Sequence, residues 1–361
     1  MREFETSGLY APDDPDAHDR LELLNFLRSR GIAVEQMVSA DRDGRLLALA
    51  AEAVGAPEET LTVEEVAARC HTTVDRVLRI RLASGLSVDP DEDRLPAALV
   101  DDIAAFEAGA ALFGEAATLS FTRVMGSAMA RMAEAAVGLF MSELRPLGTT
   151  AERPVVVARA AADAMAALMG VSPVMEHLLR DHVRLATRRA ATERAGEPDS
   201  RAVNVGVGFV DLVGSTQWAQ NLALKDQALA LSAFESAAWD IALRHDGRVV
   251  KLIGDEAMFI APSGRDAAEI ASELCHAVGA EDSLPLARGA AGFGTVASRD
   301  GDYFGTLVNL VARAVKVAEP GAVVVTEVVR DELARNGREL AELPARALRG
   351  IREPVRLFAL S

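Results

Sequence analysis

The chain has few cysteines and no cysteine cluster. Its 361 residues include only Cys70 and Cys275, which are far apart and lack the close spacing of metal-binding cysteines. We therefore expect two buried thiols with the packing role of small apolar residues, and neither a disulfide framework nor a zinc site.

Positive charge is also scarce. The formal net charge is −16, divided as −12 over residues 1–200 and −4 over 201–361, and lysine occurs only three times. Both halves would repel a phosphate polymer, which argues against DNA or RNA as the main partner. Residues 61–86 resemble a helix-turn-helix that carries Arg76, Arg79 and Arg81, but without a basic flank they favour a structural helix pair.

No uninterrupted apolar run reaches the roughly 18 residues of a membrane span. The N-terminus is polar and acidic, unlike a signal peptide, so we expect a cytoplasmic protein that does not contact membranes. With 50% apolar residues, a chain of this length can bury large cores and is expected to form about two domains.

The first half predicts an all-helical domain over residues 1–195. Residues 1–19 are expected to be disordered, residues 175–195 to form a linker helix, and 195–201 to be a linker. Residues 97–170 are rich in Ala, Met, Leu and Phe, with a break at 144–154, so their helices must bury much of their surface. Core packing is our first interpretation, with a second copy of the chain or a lipid-like regulatory ligand as alternatives.

The segment Val205–Thr216 reads VGVGFVDLVGST and predicts a strand that ends at an acid. Its apolar alternation ends at Asp211, and Gly214, Ser215 and Thr216 then open a helix. A carboxylate at a strand end can hold a hard cation, while backbone N–H groups at a helix start can receive phosphate oxygens.

A second segment, Val249–Ala261, predicts a hairpin with Gly254 and Asp255 at its tip. Two acids at one sheet edge could hold two cations about 3.5–4 Å apart, the arrangement used in phosphoryl transfer. Lys251 precedes the hairpin acid by four residues in a chain with 35 arginines and only three lysines.

The expected order of elements over 201–361 is β-α-α-β-β-α-β-α-β-α-β-β, which contains the split βαβ pattern of polymerase-palm folds. In this reading a helix covers Tyr303–Ala318, and two strands, Ala345–Leu348 and Val355–Leu360, complete the sheet. The fold class is α+β.

Three segments of the second half, FVDLVGST, KLIGDE and DYFGTLVNLVAR, resemble the signature segments of the class III nucleotidyl cyclases, which make cyclic AMP or cyclic GMP. The match spans essentially all of 203–361. The helical half looks more loosely like the regulatory region of mycobacterial acid-responsive adenylyl cyclases. The resemblance implies an all-α regulatory domain followed by a ferredoxin-like, palm-type catalytic domain over 201–361.

The resemblance also implies a metal site and a phosphate site. Asp211, Asp255 and the backbone carbonyl of Leu212 correspond to ligands of two Mg²⁺ or Mn²⁺ ions, and the N–H groups of Val213–Thr216 to triphosphate donors. The substrate would be ATP.

Five further positions match the family's nucleotide-reading and transition-state residues. Lys251 and Asp302 correspond to the pair that reads adenine, Asn309 to the residue that orients the ribose, Arg313 to the one that neutralises the α-phosphoryl group, and Arg349 to a triphosphate-binding lysine. In the family the metal acids of one chain face these residues of another, which implies a head-to-tail homodimer with two shared sites.

Two alternatives to an adenylyl cyclase stay open at this point. One is a catalytically weak nucleotide sensor or interaction module, which we disfavour because no catalytic position is missing. The other is a diguanylate cyclase, whose Gly-Gly-acid-acid-Phe tip is absent here.

Regulation is a separate hypothesis that concerns His177 and His182. Both lie in the predicted linker helix, five residues and about 140° apart, and histidine is the side chain that changes charge between about pH 5 and 8. We expect Glu176, Asp181 or an acid on another element to be their partners in a pH response, with a passive surface helix as the alternative.

Overall fold

The computed structural model describes residues 1–90, 94–143, 153–193 and 202–360. The predicted linker at 195–201 and nearly all of the break at 144–154 lie outside these ranges. The chain divides into two compact units, residues 1–181 and 182–361, each of which is described by itself below.

The first unit is helical, as predicted. Its elements, with the helix that crosses the division between the units, are α1 (Arg2–Thr6), α2 (Ala17–Ser29), α3 (Val34–Arg42), α4 (Leu49–Val54), β1 (Thr60–Leu61), α5 (Val63–Arg69), α6 (Val74–Ala83), β2 (Leu95–Pro96), α7 (Leu99–Phe113), α8 (Glu115–Glu143), α9 (Pro154–Met169) and α10 (Ser172–Glu193). The short strands β1 and β2 pair antiparallel with each other.

The prediction of disorder over residues 1–19 is wrong. Residues 2–6 form α1, and Phe4 and Leu9 are buried in one cluster with Leu24 and Leu27 of α2. The acidic and proline-rich composition of residues 12–16 suggested a segment with little to bury. Two apolar side chains before it are enough to attach the terminus to α2.

The helix-turn-helix-like segment is the helix pair α5 and α6, capped by Thr62 and Thr73. Arg76 forms ion pairs with Glu107 at 2.8 Å and with Glu115 at 2.7 Å, which tie α6 to α7 and to the start of α8. Since this guanidinium is occupied inside the unit, the structural interpretation of the pair is supported over a DNA-binding one.

Core packing does not account for most of helix α8. Among its residues whose burial the structure describes, the buried ones are Leu119, Thr122 and Gly126 in the first half, whereas Phe121, Met125 and Met132 are 63%, 48% and 45% exposed. The expectation that this helix is buried in a bundle of its own chain is therefore wrong for most of its apolar surface. A second copy or a lipid-like ligand remains the predicted cover.

By length and composition alone, the stretch 154–191 is apolar enough to cross a membrane. Within it, Val155, Ala158, Ala161 and Ala162 of α9 are buried inside the first unit. Only 22% of the most apolar window in this stretch is buried, so burial accounts for only part of its apolar composition. The cytoplasmic location stays a prediction.

The second unit has the predicted alternation of strands and helices. Its elements are β3 (Ala202–Leu212), α11 (Ser215–Gln220), α12 (Leu224–Arg244), β4 (Arg248–Ile253), β5 (Glu256–Ala261), α13 (Gly264–Gly279), β6 (Ala287–Arg299), β7 (Asp302–Phe304), α14 (Thr306–Ala314), β8 (Val323–Thr326), α15 (Glu327–Arg335), β9 (Ala341–Glu342) and β10 (Leu357–Leu360).

One sheet organises this unit, with the strand order β4-β5-β3-β6-β8-β10-β9 and β7 paired to β6. The neighbours β6 and β8 are parallel, and the other pairings are antiparallel. On one face Val207 and Phe209 pack with Val311 of α14, and on the other Val210 packs with Phe234 of α12. The α+β fold and the alternation along β3 are confirmed.

Two expected elements have different bounds. The helix predicted over Tyr303–Ala318 begins at Thr306, because Tyr303 and Phe304 pair with β6, and it ends at Ala314, followed by a 3₁₀ turn over Val315–Val317. The strand expected over Ala345–Leu348 is wrong, since that segment forms only an isolated bridge between Arg346 and Val355. The edge strand is instead β9.

Candidate active site

Asp211 lies in β3, one residue before the strand ends, and is 3% exposed. It is opposite Glu256 of β5 on one side and Arg288 of β6 on the other. The apolar residues before it anchor the strand in both cores, so the carboxylate is held at a fixed place on the sheet.

Two cations contact the Asp211 carboxylate. Arg288 donates to Oδ2 from Nε at 3.0 Å and from Nη2 at 2.9 Å, and the Lys316 ammonium donates to Oδ1. The sequence analysis missed both residues. The register of two adjacent strands could have indicated Arg288, whereas Lys316 gave no signal beyond being one of three lysines.

Asp255 reaches the same region from the β4–β5 turn, where Gly254 supplies the positive φ of 64° that the tight turn requires. The backbone N–H of Leu212 donates to the Asp255 carbonyl at 3.1 Å, and the Ser215 hydroxyl donates to the Asp255 carboxylate. The structure therefore brings together the two predicted metal-binding segments, 44 residues apart.

The predicted phosphate-binding turn needs one correction. Gly214 has a φ of 68° and precedes α11, so Gly214, Ser215 and Thr216 form the start of a helix as expected. The N–H of Val213, however, donates to the Leu286 carbonyl at 2.8 Å and is therefore not available to a phosphate.

The pKa of Glu256 shows that this side chain lies close to Asp211 and Asp255. Burial raises the pKa of the Glu256 carboxyl above its usual value, and the charges of Asp211 and Asp255 act in the same direction, against the nearby Lys316 ammonium. Two carboxylates and a backbone carbonyl at Leu212 are all oxygen donors, which is the ligand set that Mg²⁺ and Mn²⁺ prefer. The residues present fit such a site.

A second group of predicted residues meets beside β7. Lys251 Nζ donates to Asp302 Oδ2 at 2.5 Å, and the N–H of Tyr303 donates to Asp302 Oδ1 at 2.8 Å. The Lys251 ammonium also lies 5.9 Å from the centre of the Phe304 ring. A cavity of about 410 Å³ adjoins this pair and is lined by Arg299, Asp300, Asp302 and Phe304.

Asn309 and Arg313 lie one helical turn apart on α14. The Arg313 guanidinium lies against Gly350, where a Cβ would be only 3.4 Å from Nη2, and Arg349 is the exposed neighbour of this glycine. The fold thus places the two predicted phosphate-binding arginines at adjoining positions, although 36 residues separate them.

Asp211, Asp255, Ser215, Glu256, Arg288 and Lys316 form one group, the metal-site group, and Lys251 and Asp302 with their neighbours form a second group. Within the described ranges, no side-chain hydrogen bond or ion pair joins the two groups. The predicted regulatory histidines belong to neither group. His177 and His182 are exposed on α10, and the Glu176 carboxylate, one of their expected partners, pairs with Arg180 at 2.5 Å. The pH role of these histidines stays a prediction.

Comparisons with known proteins cover both units. A family model described as the adenylate cyclase regulatory domain matches residues 5–187. An uncharacterized protein of Mycobacterium tuberculosis is 33% identical over 362 residues, 99% of this chain and 93% of its own length. A pH-sensitive adenylate cyclase of the same species is 26% identical over 351 residues, 94% of this chain and 87% of its own length.

Similar solved structures include the adenylyl cyclase CyaB of P. aeruginosa, at 21% identity and a TM-score of 0.38, over 44% of this chain and 93% of that one. Guanylyl cyclases are also among them. Similarities of this size support no choice between the two activities.

Proposed function

Because this chain belongs to the class III nucleotidyl cyclases that carry an adenylate cyclase regulatory domain, we propose that it is an adenylyl cyclase. It would convert ATP into 3′,5′-cyclic AMP and pyrophosphate. The choice of ATP as substrate and the roles of individual residues are the parts of this proposal that need experiments.

The observation that carries the choice of ATP is the contact between Lys251 and Asp302. A lysine donor beside an aspartate acceptor, 2.5 Å apart next to a cavity, matches the N1 acceptor and the 6-amino donor of adenine. Guanine presents the opposite pattern at these positions and would leave both side chains without a partner.

The chemistry divides between the two groups of residues. The 3′-oxygen of the ribose attacks the α-phosphorus, its proton leaves, and the bond to the β-phosphate oxygen breaks with release of pyrophosphate. Asn309 would orient the ribose, Arg313 would neutralise charge on the α-phosphoryl group, and Arg349 would hold the triphosphate. The N–H groups of residues 214–216 would bind phosphate oxygens.

Asp211, Asp255 and the Leu212 carbonyl would hold two divalent cations. When bound, such ions lower the pKa of the attacking hydroxyl and stabilise charge on the departing pyrophosphate. The Ser215 hydroxyl, which donates to Asp255, would keep that carboxylate oriented.

Each chain carries both groups, and within the described residues they share no hydrogen bond or ion pair. We therefore also propose a head-to-tail homodimer in which the metal-site group of one chain faces the nucleotide-reading group of its partner. Two equivalent sites would result, and a monomer would be inactive.

The test is a cyclase assay of the purified full chain with Mn²⁺, using ATP and GTP in parallel, together with a measurement of nucleotide binding. We expect cyclic AMP from ATP, with GTP a poor substrate. ATP binding without product at any pH would instead identify a nucleotide sensor, and a preference for GTP would refute the adenylyl assignment.

We further propose that the helical half regulates the catalytic half, with pH as the first signal to test. Replacing His177 and His182 by Asn should flatten the pH dependence of activity between about pH 5 and 8, because only a group with different proton affinity in two states can shift their populations. A double variant with the parental pH profile would eliminate these histidines as the sensor. A lipid-like ligand on α8 is the alternative signal.

A further inference from the structure

Lys316 lies in the 3₁₀ turn after α14, at the edge of the predicted metal site. The preceding residue, Val315, is fully buried in the core beneath the sheet, so the turn holds residue 316 beside the end of β3. The ammonium donates to Asp211 Oδ1 and lies 3.5 Å from Glu256 Oε2. It therefore contacts two of the three clustered acids.

Arg288 occupies the other side of the Asp211 carboxylate. It makes two hydrogen bonds to Oδ2 and a third, at 3.3 Å, from Nη1 to the Lys316 carbonyl. A carboxylate offers about four lone-pair positions, and three of those on Asp211 are used by these two cations. A metal ion bound to Oδ1 would therefore lie beside the Lys316 ammonium, and two cations on one carboxylate oxygen repel each other.

The two cations differ in how easily each can leave. The Arg288 side chain is 22% exposed and is fixed by several bonds, whereas the Lys316 side chain is 48% exposed and has one ammonium on a flexible stem. A planar guanidinium with paired bonds is held in one geometry, but an ammonium binds as a single point charge. Lys316 is the cation that can exchange.

We propose that Lys316 is an internal cation that competes with the divalent metal ion for Oδ1 of Asp211. This inference rests on the proposed function, in which Asp211 is a metal ligand. Without metal, Lys316 compensates a carboxylate that is only 4% exposed. On metal binding, the ammonium leaves Oδ1 for solvent, so Lys316 weakens the metal affinity of the nucleotide-free enzyme.

The test measures Mn²⁺ binding to the full chain without nucleotide, by electron paramagnetic resonance of free Mn²⁺. Lys316→Met should lower the Kd by about fivefold, the size expected for a half-exposed ion pair. Lys316→Arg should bind Mn²⁺ no more tightly than the parent, because the charge remains. Lys225→Met is the matched control, since Lys225 is exposed and forms no ion pair with any residue that the structure describes.

A double-mutant cycle ties the effect to Asp211. Asp211→Asn alone should weaken Mn²⁺ binding, because a carboxylate ligand is lost, and adding Lys316→Met should not increase the binding that remains. Lys316→Gln provides a second uncharged variant, and circular dichroism checks that each variant is folded.

The outcomes separate this inference from the proposed function. Parental or weaker Mn²⁺ binding by folded Lys316→Met and Lys316→Gln proteins would overturn the competition, while the metal site itself would stand. An equal gain in Lys225→Met would also overturn it, since the cause would be bulk charge. No Mn²⁺ binding by the parent, by Lys316→Met or by Lys316→Gln would refute the metal site and the competition together.

Discussion

Replacement of Lys251 by Ala tests most directly the proposal that Lys251 and Asp302 read adenine. The change removes the ammonium that donates to Asp302 at 2.5 Å and leaves the rest of β4 in place. We expect activity with ATP to fall strongly while the fold is preserved.

The effect on stability should be smaller than the effect on activity. Stability depends on the pair in the free protein, whereas activity depends on the pair when nucleotide is bound. In the free protein the Lys251 and Asp302 side chains are 37% and 31% exposed, so their loss of pairing should change the free energy of unfolding by less than about 1 kcal/mol. In the proposed complex with ATP, the base would shield the same donor from water. Loss of a charged hydrogen bond there would cost about 1.5–3 kcal/mol, which would lower kcat/KM by about 10- to 150-fold.

The assay compares kcat/KM for ATP in the parent, Lys251→Ala and Lys225→Ala, with urea unfolding of each protein. Lys225→Ala removes a lysine from α12 and should behave as the parent does. If Lys251 donates to N1 of adenine as proposed, the ratio of ATP to GTP turnover should also fall in Lys251→Ala.

Two results would refute this reasoning. If Lys251→Ala keeps the parental kcat/KM for ATP, Lys251 does not read the base. If the loss of activity comes with an unfolding free energy lower by several kcal/mol, the residue acts through the fold and the specificity argument fails.

Further predictions concern the proposed metal-binding aspartates, the homodimer and the packing of the sheet. Asp255→Asn should abolish Mn²⁺-dependent cyclic AMP formation by the folded protein, because one carboxylate ligand is lost. Mixed Asp211→Ala and Arg313→Ala proteins should regain activity, since one site of each heterodimer is intact; heterodimers without activity would exclude shared sites. Gly206→Ala should lower the free energy of unfolding, measured in urea, by about 1–3 kcal/mol or more, because the added Cβ would lie 2.1 Å from a backbone oxygen. Gly138→Ala is the control and should not lower it, because an added Cβ there would have nothing within 4 Å.

The strand that carries Asp211 and the hairpin that carries Asp255 were predictable because both depend on local patterns. Alternating apolar residues predict a strand with two buried faces, and a glycine before an acid predicts a tight turn. These rules involve neighbours in sequence, so the predicted bounds of the strand and the hairpin lie close to the observed ones.

Errors occurred where a distant partner decided the local structure. Tyr303 and Phe304 have the apolar character of a helix start, but pairing with β6 makes them a strand. Phe4 and Leu9 precede an acidic, proline-rich segment, yet the surface of α2 buries them. In both cases long-range contacts override the local preference.

The sequence by itself determined a mainly helical half, an α+β half and two acids at the ends of sheet elements, because periodicity and turn chemistry are local properties. The short pairing of β1 with β2 was not predicted. Only the tertiary structure decided which charges surround those acids. Arg288 and Lys316 lie 77 and 105 residues from Asp211 along the chain and reach it through strand register and through the buried position of Val315. A lysine at residue 316 has no distinguishing sequence context, and its role follows from the fold alone, since ion pairing depends on distance in space.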